Sequence, residues 1–204
     1  MGVVLTSTKQ MDVDRRGDSD VLATSVEDVD AFLLILDRHF DAIAAYVGRR
    51  VGSAHSEDLV SEVFVRAFGH RRRYDPNKAD VLAWLFGIAT NVLREHFRKS
   101  RKEVALANRM QLEAGVAVAA SADDDSPRVP LIIEAVLGLS AKDREPLLLY
   151  ALGDLENQQI ANALDIPIGT VRSRINRARG RLRRQLGEAA STPRGLPKEG
   201  IANG

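Results

Sequence analysis

The stretch IGTVRSRINRARGRLRRQL, Ile168 to Leu186, decides how this chain is read. It holds seven arginines and no acid, while Val171, Ile175, Ala178, Leu182 and Leu186 recur at spacings of three and four. That period places an apolar stripe on one side of a helix and leaves the charge on its other faces. Such a helix needs a body beneath the stripe and an anion in front of the arginines. The preceding residues, DLENQQIANALDIP, predict a short helix around Glu156–Ala163 and a turn at Asp165–Ile166–Pro167. Gly169–Thr170 then starts the last helix. Ala161, Leu164, Ile166, Val171 and Ile175 have the apolar spacing that lets the two helices cross tightly, the layout of a helix-turn-helix.

With Val171 and Ile175 turned inward, Arg172, Ser173, Asn176 and Arg177 face outward near the helix start. Arginine meets guanine O6 and N7 with two donors, asparagine brackets adenine, and serine fits several base edges. Arg179, Arg181, Arg183 and Arg184 lie farther along, where phosphate contact fits better than base reading. The amides at the helix start can also hold a phosphate. Two competing readings are a solvated arginine face on an ordinary bundle helix and an amphipathic membrane helix. The first leaves the turn and Asn176 without a role, and the second lacks Trp or Phe on its narrow apolar side.

Working outward, the 204 residues suffice for one ordinary domain or two small ones. The formal charge of +1 comes from 29 bases against 28 acids, but the charges are segregated. Nine acids and three bases lie between Asp12 and Asp41, whereas Arg172–Arg184 contains only bases, which suggests an anionic partner for one part. Cysteine is absent, excluding disulfides, thiol catalysis and thiolate metal sites. No apolar run approaches the roughly 20 residues needed to cross a bilayer, and no basic-then-apolar signal opens the chain. A cytoplasmic protein without membrane insertion is expected. His39, His55, His70 and His96 have no compact ligand spacing, and no nucleophile–base arrangement or phosphate loop occurs. Neither a metal, nor a cofactor, nor an enzymatic activity is expected.

Composition predicts two helical blocks, 26–107 and 131–187, joined by a linker at 108–130 that contains AVAASADDDSPRVP. Residues Met1 to about Ser25 and the tail from Ser191 are expected to be mobile. The fold class is therefore all-α: two small helical domains, the second carrying the helix-turn-helix. No strand pattern competes.

In the first block, Phe32, Ile35, Leu36, Phe40, Ile43, Ala44 and Val47 form one apolar face. The next helix, opened by Ser56, directs Leu59, Val60, Val63, Phe64, Ala67 and Phe68 inward and leaves Glu57, Asp58, Ser61, Glu62 and Arg66 outside. Asp75–Pro76–Asn77 signals a turn. The helix after it buries Val81, Leu82, Leu85, Ile88, Ala89, Val92 and Leu93 and ends in Arg94, Arg98, Lys99, Arg101 and Lys102. Such a basic end suits a separated nucleic-acid strand if bases stack on side chains, with Phe86 and Phe97 as the candidates. Trp84 is expected in the core. In the second block, Ser140 is placed to cap a helix whose third residue is Asp143.

These residues resemble the extracytoplasmic-function (ECF) group of bacterial RNA polymerase sigma factors, in the sigma-70 family. DLENQQIANALDIPIGTVRSRINRARGRLRRQL resembles sigma region 4, while SEDLVSEVFVRAFGHRRRY and ADVLAWLFGIATNVLREHFRKSRK resemble region 2. The resemblance implies a protein that binds core RNA polymerase, directs it to promoter DNA and opens the −10 region. Region 2 would hold the clamp helices of the largest subunit through Glu57, Asp58, Leu59, Ser61, Glu62 and Phe64. Ser61 stands where the family commonly has glutamine. Asn91 matches the position associated with −10 bases, with Arg94, Arg98 and Lys99 as the backbone grip. Region 4 would rest on the flap of the other large subunit and read the −35 element through Arg172, Ser173, Asn176 and Arg177. An anti-sigma factor is a frequent partner in this family. With no coiled coil or dimer element in sight, the free chain is expected to be a monomer. The alternatives are a helix-turn-helix repressor or activator and a sigma-like interaction protein without promoter-opening activity. An RNA-binding protein is less supported, since no stacking-sheet signature occurs.

Overall fold

A computed structural model describes residues 16–114 and 129–191, and the expectations for the first residues, most of the linker and the tail lie outside them. The described residues form helices and turns, with no strand among them. The first unit contains α1 (Asp18–Thr24), α2 (Phe32–Val51), α3 (Ser53–His70) and α4 (Val81–Ala114). The second contains α5 (Val129–Leu137), α6 (Ala141–Leu152), α7 (Asn157–Leu164) and α8 (Ile168–Ser191). No described helix is long and apolar enough to cross a membrane.

The helix α1 corrects the expectation of mobility up to Ser25. Val21 and Leu22 are fully buried, and the Asp18 carboxylate accepts from Arg38 Nη1 at 2.7 Å and lies 2.8 Å from His39 Nε2. Average composition over 25 residues conceals a seven-residue helix with two apolar anchors. The face of α2 closes on the core through Phe32, Ile35, Ile43, Tyr46 and Val47, but Phe40 lies at its edge, half-exposed and stacked on Phe64. Gly52 reverses the chain at φ 74°, a left-handed conformation that glycine adopts without strain, so α3 begins at Ser53 rather than Ser56. The Asp80 side chain accepts from Ala83 N at 2.6 Å and fixes the start of α4. That helix runs on to Ala114, beyond the expected boundary at 107.

In the second unit α5 already begins at Val129, with Pro130 in its first turn, where a missing amide costs no helical hydrogen bond. Ser140 caps α6 as predicted, its Oγ accepting from Asp143 N at 3.3 Å. Leu147, Leu149, Leu155, Ile160, Ala161, Val171, Ile175 and Ala178 are the aliphatic part of a core that continues into the first unit. The units pack on each other. A Cβ added at Gly87 of α4 would stand 2.7 Å from the Ala163 carbonyl of α7, and one at Gly153 would stand 3.1 Å from the Phe86 ring.

Candidate nucleic-acid and polymerase interface

The turn between α7 and α8 is built as the sequence suggests. Asp165 ends α7 in the left-handed region at φ 52°, and Ile166 N donates back to Ala161 O at 3.0 Å. The Gln159 side chain accepts from Glu156 N at 3.1 Å and steadies the start of α7. Val171, Ile175 and Ala178 are buried, so α8 lays its apolar stripe on the unit and shows its arginines outside.

Those arginines differ. Arg172, Ser173, Asn176 and Arg183 are exposed, and Ser173 Oγ donates to Thr170 O at 3.0 Å within its own turn. Arg177 is half-exposed but donates from Nε and Nη2 to one Asp143 carboxylate oxygen at 3.1 Å, while Arg181 Nη1 lies 3.7 Å from the other. Asp143 itself is buried, so this group ties α8 to α6. Arg177, expected among the base readers, therefore leans toward its own domain in this conformation. Arg179 caps the Tyr150 ring at 4.6 Å, and Arg184 is exposed. The exposed ridge Arg172, Asn176, Arg179 and Arg183 repeats at spacings of four, three and four, so it follows one side of the helix.

On α4, Asn91, Arg94, Arg98 and Lys99 are exposed. Phe86, expected as a stacking residue, is instead buried edge-on against Tyr46 at 5.1 Å, where no base can reach it. Trp84, expected in the core, is only partly buried and packs edge-on against Tyr74 at 5.4 Å. It lines a cleft of about 690 Å³ together with Ile88, Asn91, Tyr74, Arg73 and Lys78. Trp84, Ile88 and Asn91 share a face by their spacing of four and three, a signal available in the sequence. The contribution of Arg73, Tyr74 and Lys78 was not legible there, because the turn before α4 brings them to the cleft. Across the cleft stand Asn162, Asp165 and Ile166 of the second unit.

On α3, Glu57, Asp58, Ser61 and Glu62 are exposed, whereas Leu59 and Phe64 are buried. The expectation that Leu59 and Phe64 touch a partner directly is corrected: one helix cannot turn all these positions outward, and these two support the face from beneath. Val65, 70% exposed and missed in the sequence reading, extends the stripe Asp58, Ser61, Glu62 by its spacing of seven from Asp58. Arg66 donates to Glu62 and to Glu95 of α4, both at 2.6 Å. The Arg66 hydrogen bond holds the Glu95 carboxyl below its ordinary pKa.

A small helical unit with an acidic outer face, packed on a helix-turn-helix with a basic ridge, has the layout of a DNA-binding transcription factor. The chain matches Sigma-70 region 2 over residues 35–103 and Sigma-70, region 4 over residues 131–182. It is 31% identical over 170 residues to the ECF RNA polymerase sigma factor SigW of Bacillus subtilis, covering 78% of this chain and 90% of that one. The ECF RNA polymerase sigma-E factor of Escherichia coli is 29% identical over 164 residues, 74% and 84% of the two chains. The fold is similar to the sigma factor RpoE of Bartonella quintana in its complex with the anti-sigma factor NepR, with TM-score 0.54, 27% identity and coverage of 76% and 96%. It is also similar to CnrH in complex with the cytosolic domain of CnrY, with TM-score 0.60, 24% identity and coverage of 86% and 99%. The chain belongs to the ECF sigma factors of the sigma-70 family and directs RNA polymerase to promoters.

Proposed function

We propose a division of labour between the two units. The face of α3, with Glu57, Asp58, Ser61, Glu62 and Val65, holds the clamp helices of the largest polymerase subunit. Serine at position 61 has a shorter reach than glutamine, so Glu62 and Asp58 carry more of the polar contact. The α4 face takes the opened −10 strand: Asn91 reads a base, Trp84 supplies the available stacking ring, and Arg94, Arg98 and Lys99 hold the backbone. Capture of flipped bases offsets an unstacking cost of a few kcal/mol per step. The ridge of α8 reads the −35 duplex with Arg172, Ser173 and Asn176, while Arg179, Arg183 and Arg184 meet phosphates. Arg177 and Arg181 join in only as far as they leave Asp143. The exposed Ile132, Ile133 and Leu137 of α5 offer an apolar surface for the polymerase flap. The chain works in the cytoplasm with promoter DNA and core polymerase as partners, and an anti-sigma factor would compete for the same faces. The polymerase performs RNA synthesis.

One observation carries this reading above a plain helix-turn-helix regulator. The exposed basic residues of α4 and the exposed acidic stripe of α3 occupy neighbouring helices of one unit, an arrangement that a regulator reading duplex DNA alone has no use for. Transcription with defined core polymerase and a library of promoter sequences tests it: initiation is expected from a restricted set of promoters. No initiation at any sequence would leave the regulator or the interaction protein ahead. Asn91→Ala is expected to reduce permanganate reactivity of melted thymines while leaving −35 binding intact, and unchanged reactivity would remove Asn91 from the opening step.

A further inference from the structure

The connection 71–80 between α3 and α4 is tied to α1 at two points. Arg71 Nε donates to Ser25 O at 3.0 Å, just past the end of α1, and the Arg71 guanidinium lies over the Phe68 ring at 3.7 Å. Three residues on, the Tyr74 hydroxyl donates to Ala79 O at 2.9 Å and stands 3.0 Å from Ser19 Oγ of α1. A phenol has one proton, and here it goes to Ala79, so Ser19 is the donor to the Tyr74 oxygen. Burial pushes the Tyr74 phenol above its ordinary pKa, which keeps that proton in place at neutral pH. The Tyr74 ring then meets Trp84 of α4 edge-on, with 5.4 Å between centroids.

We propose that α1 braces the −10 site: Ser19 fixes Tyr74, and Tyr74 sets the plane of the Trp84 ring beside Asn91. The inference deepens the base-capture reading of Trp84 and Asn91 and rests on it. Ser19 is a positioning residue, since it acts through Tyr74. Tyr74, Trp84 and Asn91 line one cleft with Arg73 and Lys78 of the same connection. A stacking ring captures a base more readily when its plane is set beforehand, because a free ring gives up rotational freedom at each capture. Trp84 is only partly buried, so the packing of α4 leaves its ring open toward the cleft. The edge contact from Tyr74 restrains it.

The brace itself is anchored in the first unit. Val21 and Leu22 of α1 are fully buried, and Asp18 holds Arg38 and His39 of α2. Within the connection, the Tyr74–Ala79 bond closes the loop, and the Asp75 carboxylate accepts from Asn77 N at 3.0 Å. These internal bonds fix the loop's shape. The bonds to Ser19 and Ser25 fix where that loop stands on the unit.

Trp84 is the single tryptophan of the chain, so its fluorescence reports on the brace directly. In the free full-length protein, S19A is expected to raise acrylamide quenching of Trp84. Y74F, which keeps the ring and loses both hydroxyl bonds, should raise it further. With core polymerase, permanganate reactivity is then compared between a preferred −10 sequence and sequences altered at one base each. S19A should lower the ratio between preferred and altered sequences several-fold at one position, with −35 binding unchanged. S19T keeps the hydroxyl donor and should retain both the ratio and the quenching of the unsubstituted protein. Unchanged quenching in both S19A and Y74F would overturn the brace. So would a loss of opening by the same factor at every −10 sequence, which a merely structural role predicts, or a loss in S19T equal to that in S19A. The quenching needs no polymerase: absence of initiation by the unsubstituted protein would sink the sigma-factor reading, while the quenching would still decide whether Ser19 and Tyr74 hold Trp84.

Discussion

The two units bury very different material. The first has Phe32, Tyr46, Phe64 and Phe86 in its core, with Phe32 set edge-on to Phe68 at 5.3 Å and Tyr46 edge-on to Phe86 at 5.1 Å. The second buries no aromatic ring among its described residues; leucine, isoleucine, valine and alanine fill it. Large rings bury more apolar surface per residue, so the first unit supplies the bulkier share of a core that continues into the second. The second is small enough that its margin is thin, and it leans on the first through α7 and α6. The unit proposed to read duplex DNA is thus the one without an aromatic ring in its core among the described residues.

The sharpest way to break this comparison is to empty one core at a time. Ile160→Ala in the second unit should cost about 2–5 kcal/mol and abolish −35 recognition. Denaturation followed by signals from each unit should then show the second unfolding first. A single transition shared by both would mean that the units form one cooperative body, and the contrast would be lost.

Within the second unit the arginines give the next largest effect. Arg172→Ala should cost about 1–3 kcal/mol at a matched −35 sequence and little at an altered one, relaxing choice at one base pair. Arg177→Ala should weaken matched and altered sequences alike, because that side chain is held by Asp143. Quantitative binding of the polymerase holoenzyme to both sequences separates the two roles, and the reverse pattern would return Arg177 to base reading.

Smaller still is the cap of α6. Ser140→Ala should lower stability by about 1 kcal/mol through loss of the Asp143 amide's partner, read from chemical denaturation. The smallest effect belongs to the first unit's exposed network, where Arg66→Ala should change stability within about 1 kcal/mol at neutral pH. Its sign with pH follows from Glu95. A carboxyl whose folded pKa is depressed contributes stability above its unfolded pKa and loses it as pH falls through the folded value. The difference between Arg66→Ala and the unsubstituted protein should therefore fade in acid, and a difference that grows in acid would contradict the assigned hydrogen bond.

The sequence by itself determined the helical class, the helix-turn-helix, the inward stripes of α3, α4 and α8, and the Ser140 cap. These depend on residues within a few positions of one another, and the 3.6-residue period records them directly. Tertiary structure decided the rest. It drew Val21 and Leu22 into the core, buried Phe86 against Tyr46, and opened Trp84 onto the cleft. It tied Arg177 to an acid 34 residues earlier and Arg50 to one 95 residues later. A charged side chain's partner depends on which distant helices pack beside it, and helix periodicity reports only which way a residue faces within its own helix.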